Sequence, residues 1–127
     1  MAEAVLDASA VLAAMLGEAG ADEVRAAVPN ALLASVNAAE VVTKLIRYGA
    51  GPEGSVGAVR ALDCVIVPID ERLGLRAGTL HSLTARLGLS LGDRVCLALA
   101  ERERLPVLTA DRAWASLDIG VEIRLIR

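Results

Sequence analysis

The chain has 127 residues, of which 55% are hydrophobic and 2% aromatic, and its formal net charge is -3. This length suits one domain spanning residues 1–127, and the hydrophobic fraction excludes an intrinsically disordered chain. The excess of acidic over basic residues excludes the strongly basic surface with which non-specific DNA-binding proteins coat the double helix. One Trp, one Tyr and no Phe are too few for the base-stacking platforms of common RNA-recognition modules.

The sequence also predicts a compartment. Its first residues carry acids where a secretion signal needs bases, and no uninterrupted uncharged run reaches the roughly 18 residues of a membrane span. Cys64 and Cys96 each lie in an apolar run, which favours buried, reduced thiols. We therefore expect a soluble, cytoplasmic protein that binds no membrane.

Short apolar runs alternate with helical patterns along the chain. In chain order we predict strand 4–6, helix 8–16, helix 22–28, strand 31–35, helix 37–48, loop 49–54, a weaker helix leading to residue 64, strand 64–67, a helix through 73–87, a break at 88–92, helix 93–104, strand 106–109 and strand 121–126. Strands with little period-2 alternation, separated by helices, predict an α/β fold with a central, mainly parallel sheet of four to five strands covered on both faces.

Four acidic residues take equivalent places in this pattern. Asp7 closes the first strand, Glu40 is expected in the first turn of helix 37–48, Asp93 opens a late helix, and Asp111 follows strand 106–109. The carboxyl ends of parallel strands, and the helices that follow them, meet at one edge of a sheet. We therefore expect the four side chains to converge there.

Helix capping is the competing explanation for each acid taken singly. Asp7 and Asp111 have N-cap positions, while Asn37–Glu40 and Ser90–Asp93 have the spacing of a capping box. Taken together, however, four carboxylates at one edge repel one another unless a positive charge lies among them. The chain has no cluster of Lys or His for this purpose, whereas a hard divalent cation such as Mg²⁺ prefers oxygen ligands.

Four segments surround these acids: Val-Leu-Asp7-Ala-Ser9-Ala, Asn37-Ala-Ala-Glu40-Val, Leu-Ser-Leu-Gly-Asp93-Arg-Val-Cys-Leu-Ala-Leu-Ala, and Val-Leu-Thr109-Ala-Asp111-Arg-Ala-Trp114. In this order and at this chain length they resemble the acidic blocks of the PIN domain family, and most of all those of the VapC-type toxins of bacterial toxin–antitoxin modules. The resemblance implies a three-layer α/β/α fold and a metal-dependent endoribonuclease. Residues 49–88 match the family only in pattern.

The resemblance also implies the roles of particular residues. The catalytic and metal-binding quartet, holding Mg²⁺ or Mn²⁺, would be Asp7, Glu40, Asp93 and Asp111, with Ser9 and Thr109 at accessory polar positions. The ions would activate water for hydrolysis of the RNA phosphodiester bond and leave 5′-phosphate and 3′-hydroxyl ends. The implied protein partners are a VapB-type antitoxin and a second copy of the chain.

Three further features bear on ligands. Arg94 and Arg112 each follow a quartet acid and are candidate phosphate contacts, with solvated or salt-bridged arginines as the alternative. Trp114 is expected in the core. The helix at 8–16 has so few polar residues that we expect it to be buried or to line an apolar groove for a partner.

Net charge is no objection to an RNA substrate. If four of the 16 acidic residues are metal ligands, the remaining 12 face 13 basic residues. Direct sequence-specific DNA binding is not expected. The alternatives to a toxin are a solitary RNA-processing nuclease of the same family and a non-catalytic PIN-like interaction module.

Overall fold

The computed structural model describes all 127 residues. Its strands are β1 (Ala4–Leu6), β2 (Ala31–Ala34), β3 (Val65–Val67), β4 (Val107–Thr109) and β5 (Ile123–Leu125). Its α-helices are α1 (Ala8–Leu16), α2 (Ala21–Ala27), α3 (Ser35–Arg47), α4 (Pro52–Arg60), α5 (Glu71–Thr79), α6 (His81–Thr84) and α7 (Leu91–Glu103). Three short 3₁₀ helices cover Val28–Asn30, Ala85–Leu87 and Arg112–Ser116.

The five strands form one sheet in the order β3-β2-β1-β4-β5. Every neighbouring pair is parallel, and Leu6 in the central strand β1 lies opposite Leu33 of β2 and Leu108 of β4. The predicted parallel sheet is therefore confirmed. All five strands point their carboxyl ends toward the same edge, so β1, β2 and β4 deliver the residues that follow them to one place.

Alternate strand residues face two separate hydrophobic clusters. Leu6 and Leu33 pack with α1, α2, α3 and α4 on one face of the sheet, while Val5 and Leu32 pack with α5 and α7 on the other. Trp114 belongs to the second cluster and is fully buried, as predicted. The two clusters establish the three-layer α/β/α arrangement.

Strand β3 is less buried than its β-branched sequence suggests. It is an edge strand that pairs only with β2, and 62% of the Val65 side chain is exposed. Cys64, which precedes the strand, is half-buried rather than buried, whereas Cys96 in α7 is fully buried, and both thiols are free.

Two predicted elements in the middle of the chain differ from the structure. Helix α4 begins at Pro52, inside the predicted loop 49–54, because proline is well suited to the first turn of a helix. The predicted helix 73–87 divides into α5, α6 and a 3₁₀ turn. Only its first part packs on α7, and Leu83, expected on the buried face, is 58% exposed.

None of the helices has the length and apolar composition needed to cross a membrane.

Candidate active site

Asp7 lies at the carboxyl end of β1 and caps α1. Its side chain is 4% exposed, and its Oδ1 accepts hydrogen bonds from the Ala10 amide (2.9 Å) and the Ser9 hydroxyl (2.7 Å). Its Oδ2 accepts a hydrogen bond of 2.6 Å from the Thr109 hydroxyl. Burial raises the pKa of Asp7 from 3.8 to about 6, against the opposing effect of these three donors.

The two hydroxyls also tie β4 to β1. The Thr109 hydroxyl accepts a hydrogen bond from the Asp111 amide at 3.0 Å, and the Ser9 hydroxyl accepts one from the Ala110 amide at 2.9 Å. Each hydroxyl thus donates to Asp7 and accepts from the turn that carries Asp111. This arrangement holds the Asp7 carboxylate in one orientation and fixes the path of the chain after β4.

Glu40 does not lie in the first turn of its helix. Helix α3 begins at Ser35, two residues earlier than predicted, so Glu40 is in the second turn and the capping box expected at Asn37–Glu40 is absent. The earlier start is possible because Ala34, in extended conformation, joins β2 directly to α3. Burial raises the pKa of Glu40, the hydrogen bond from Asn37 lowers it, and the charge of Asp93 raises it.

Asn37 has a role that the sequence did not reveal. Its side-chain amide is buried and donates to Glu40 Oε1 at 2.8 Å and to the Gly92 carbonyl at 3.1 Å. It therefore links α3 to the first turn of α7 and restrains the Glu40 carboxylate. The sequence signal was only a polar residue one helical turn before an acid, which capping explains equally well.

Asp93 and Asp111 both cap helices and also lie at the proposed acidic site. Asp93 completes a capping box with Ser90, as predicted, and Asp111 caps the 3₁₀ helix after β4 by accepting from the Ala113 amide at 3.0 Å. The charge of Asp93 also raises the pKa of both Asp7 and Glu40. Both acids therefore cap helices, and the charge of Asp93 also acts on Asp7 and Glu40.

All four acids line a single cavity of about 670 Å³ between α1 and α3. The convergence expected from the parallel sheet is therefore present. The apolar part of the lining includes Leu12 and Leu16 of α1 and Val36 of α3, which agrees with the expectation that helix 8–16 borders an apolar groove.

The arginines that follow quartet acids do not line this cavity. The Arg94 guanidinium donates to the Ala77 carbonyl at 3.2 Å, at the C-terminal end of α5, and Arg112 is exposed outside the lining. The basic residues that do line it are Lys44, Arg47 and Arg127. A phosphate contact by Arg94 or Arg112 stays a prediction.

The donor atoms of the site suit a hard divalent cation. Such an ion stabilises carboxylates that repel one another, and it favours the charged form of the buried Asp7, whose pKa is raised. No three His, Cys, Asp or Glu side chains lie close enough, as placed, to form a complete metal-binding group. Shared coordination would therefore require the part-buried Asp93 and the exposed Asp111 to turn from their backbone donors toward Asp7.

Solved structures with the same fold include components of toxin–antitoxin systems. The toxin–antitoxin complex from Klebsiella pneumoniae matches with 21% identity and a TM-score of 0.71, over 95% of this chain and 100% of that chain. The DNA-bound VapBC complex from Salmonella typhimurium matches with 16% identity and a TM-score of 0.76, over all of both chains. VapC20 from Mycobacterium tuberculosis, described as a toxin that cleaves the sarcin-ricin loop, matches with 17% identity and a TM-score of 0.71, over 94% of this chain and 99% of that chain.

These identities are low, so the likeness establishes the fold. No curated protein matches the sequence. The model of the PIN domain family matches residues 4–120, which include all four acids of the cavity. The chain belongs to the PIN domain family.

Proposed function

We propose that this protein is a metal-dependent endoribonuclease that acts as the toxin of a toxin–antitoxin pair. The observation that carries the proposal is the meeting of Asp7, Glu40, Asp93 and Asp111, from four separate segments, in one cavity at the carboxyl edge of a parallel sheet. A single domain of residues 1–127 carries the site, and the substrate is RNA.

The four acids would hold Mg²⁺ or Mn²⁺. When bound, such an ion lowers the pKa of water and stabilises the charge of the phosphodiester during hydrolysis. Ser9 and Thr109 keep the Asp7 carboxylate oriented for this role. Asn37 does the same for Glu40. The pocket is preorganised at these two acids, while Asp93 and Asp111 are held by backbone donors at its mouth.

The proposed protein partner is a VapB-type antitoxin. The similar chains from Klebsiella pneumoniae and Salmonella typhimurium come from toxin–antitoxin complexes. In this chain, Leu12, Leu16 and Val36 give the cavity an apolar side that suits the side chains of a partner peptide. DNA is bound in the Salmonella typhimurium complex; for this chain by itself we propose no direct sequence-specific DNA binding. A homodimer and a cytoplasmic location complete the proposal.

RNA cleavage tests the enzymatic part. Structured RNA incubated with the protein and Mg²⁺ or Mn²⁺ is expected to be cut, leaving 5′-phosphate ends, and the chelator EDTA is expected to stop the reaction. Asp93→Asn and Asp111→Asn are expected to reduce the rate at least 100-fold, because each removes a charged ligand. Asp63→Asn, at an exposed acid outside the cavity, is the control. Undiminished cleavage by both cavity variants overturns the proposed site.

The toxin assignment has its own test. Expression of the wild-type chain is expected to arrest bacterial growth, and expression of Asp93→Asn is expected to permit it. Normal growth under expression of an active nuclease favours the solitary RNA-processing enzyme instead.

A further inference from the structure

The cavity continues beyond the acids along one face of α3. Glu40, Thr43, Lys44, Arg47 and Tyr48 all line it. Their spacing of three and four residues is that of one helical face. At a rise of about 1.5 Å per residue, Lys44 lies about 6 Å and Arg47 about 10 Å further along the helix than Glu40. The α3 face of the cavity therefore passes from an acidic residue, Glu40, to the basic residues Lys44 and Arg47.

Lys44 and Arg47 have no acidic partner in the structure. Neither takes part in any of its ion pairs, whereas Arg127, the third basic residue of the lining, is held by Glu18 at 3.3 Å. Glu40 and Lys44 have the spacing of a helical ion pair, yet Glu40 is bonded to Asn37 instead. The two cations are thus left available to a ligand.

Tyr48 adds a stacking surface beside these cations. It is 61% exposed, lines the same cavity, and has the Lys44 ammonium 5.8 Å from its ring centroid. An exposed aromatic ring next to unpaired cations is the combination with which proteins hold single-stranded nucleic acid, because bases stack on the ring while cations contact phosphates. Of the two aromatic residues in the chain, Trp114 is buried and Tyr48 is exposed.

We propose that Lys44, Arg47 and Tyr48 form a subsite for the single strand of RNA adjoining the bond that is cleaved. In this α3 subsite, Lys44 and Arg47 contact successive phosphates on one side of the scissile bond, and Tyr48 stacks on an unpaired base. The inference rests on the proposed ribonuclease function, and it selects unpaired RNA over a duplex, since a paired base cannot stack on Tyr48.

Helix stability is the ordinary explanation for basic residues here, since Lys44 and Arg47 lie in the last turn of α3, where cations complement the helix dipole. Arg60 provides the matched control. It lies in the last turn of α4, is exposed, forms no ion pair and lies outside the cavity. Arg60→Ala therefore removes the same charge from an equivalent helical position.

The experiment compares five variants in the full chain: Lys44→Ala, Arg47→Ala, Tyr48→Leu, Tyr48→Phe and Arg60→Ala. Cleavage is measured on a mixed-sequence, unstructured RNA of about 16 nucleotides, and its binding is measured by fluorescence anisotropy over a salt series in the Asp93→Asn background. Removal of one phosphate-binding cation is expected to lower the slope of log K against log salt by about 0.7. Tyr48→Leu is expected to weaken binding roughly tenfold, whereas Tyr48→Phe retains the stacking ring and binds normally.

The proposal is supported when Lys44→Ala and Arg47→Ala raise KM and lower the salt slope, when Tyr48→Leu raises KM and weakens binding, and when Arg60→Ala matches the wild type. It is overturned when the wild type cleaves RNA and the subsite variants bind and cleave as Arg60→Ala does. It is also overturned if these variants lose only binding of an antitoxin peptide. An inactive, non-binding wild type overturns the ribonuclease function itself, and the subsite with it.

Discussion

Gly92 is a sensitive position of the proposed site although it carries no functional group. It is the second residue of α7 and is buried, and its carbonyl accepts the hydrogen bond from Asn37. A Cβ atom added there would lie 2.6 Å from Glu40 Oε2 and 2.7 Å from Glu40 Oε1. The Gly92→Ala substitution therefore forces the Glu40 carboxylate to move.

The size of the movement follows from the contact distances. Ordinary van der Waals contact begins at 3.4 Å, so the carboxylate must retreat from 2.6 Å by about 0.8 Å. A misplacement of about 1 Å in a catalytic group can reduce the rate about 100-fold. The helix itself is not weakened, since alanine is a better helix former than glycine by up to about 1 kcal/mol. Gly92→Ala is expected to lower RNA cleavage 10- to 100-fold while the midpoint of thermal unfolding stays within a few degrees of wild type.

The assay measures cleavage rate against Mn²⁺ concentration together with thermal unfolding. Gly57→Ala is the control, because Gly57 is also helical and a Cβ there meets nothing within 4 Å. Full activity in a folded Gly92→Ala protein would show that the position of the Glu40 carboxylate does not matter for cleavage, since Glu40 would then be displaced without effect. Unfolding of Gly92→Ala contradicts the prediction as well, because the overlap would have been relieved by the backbone rather than by Glu40.

Three other substitutions test the surroundings of the site. The pKa of Asp7 is about 6 in the folded protein against an ordinary 3.8, so the protonated carboxyl group stabilises the fold fully below pH 3.8 and this stabilisation is lost as the pH rises through 6. In urea unfolding with EDTA present, the wild type is expected to lose up to about 3 kcal/mol relative to Asp7→Asn over this range. A difference between the two proteins that does not change with pH contradicts this prediction. Asn37→Ala removes one donor from the Gly92 carbonyl and frees the Glu40 carboxylate. We therefore expect a destabilisation of about 1–3 kcal/mol and a higher Mn²⁺ requirement in the cleavage assay; an unchanged requirement excludes the positioning role. Trp114→Ala empties a fully buried position and is expected to cost about 3–5 kcal/mol in denaturant unfolding, whereas a cost below 1 kcal/mol contradicts its place in the core.

The sequence was most informative where local pattern and topology agree. Apolar runs separated by helices predicted the parallel sheet, and in such a sheet residues after strands must meet at one edge. Asp7 follows β1 directly and Asp111 lies two residues after the end of β4, so their convergence was predictable. The capping box at Asp93 is likewise a local feature.

Hydrogen bonds between distant segments were not predicted from local patterns. The Asn37 side chain donates to the Gly92 carbonyl 55 residues away, a contact that no motif indicated. Thr109 was placed at the site by the family resemblance, but its bond to Asp7, across 102 residues, is known only from the structure. Arg94 is a candidate phosphate contact because it follows Asp93 in the sequence, and that contact stays a prediction; its hydrogen bond to the Ala77 carbonyl at the end of α5 was not foreseen. Lys44, Arg47 and Tyr48 all lie within the predicted helix 37–48, but the cavity that they line depends on how α3 packs beside α1.

Binding of Mn²⁺, measured by electron paramagnetic resonance, shows whether Asp7, Glu40, Asp93 and Asp111 form a metal site. Free Mn²⁺ gives a six-line signal that disappears on binding, so titration yields the affinity of the wild type, Asp7→Asn, Glu40→Gln and the control Asp63→Asn. We expect binding by the wild type and the control, and affinity at least tenfold weaker in the two cavity variants, because each removes one charged ligand. Equal affinity in all four proteins, or no binding by the wild type, would contradict a metal site built from these acids.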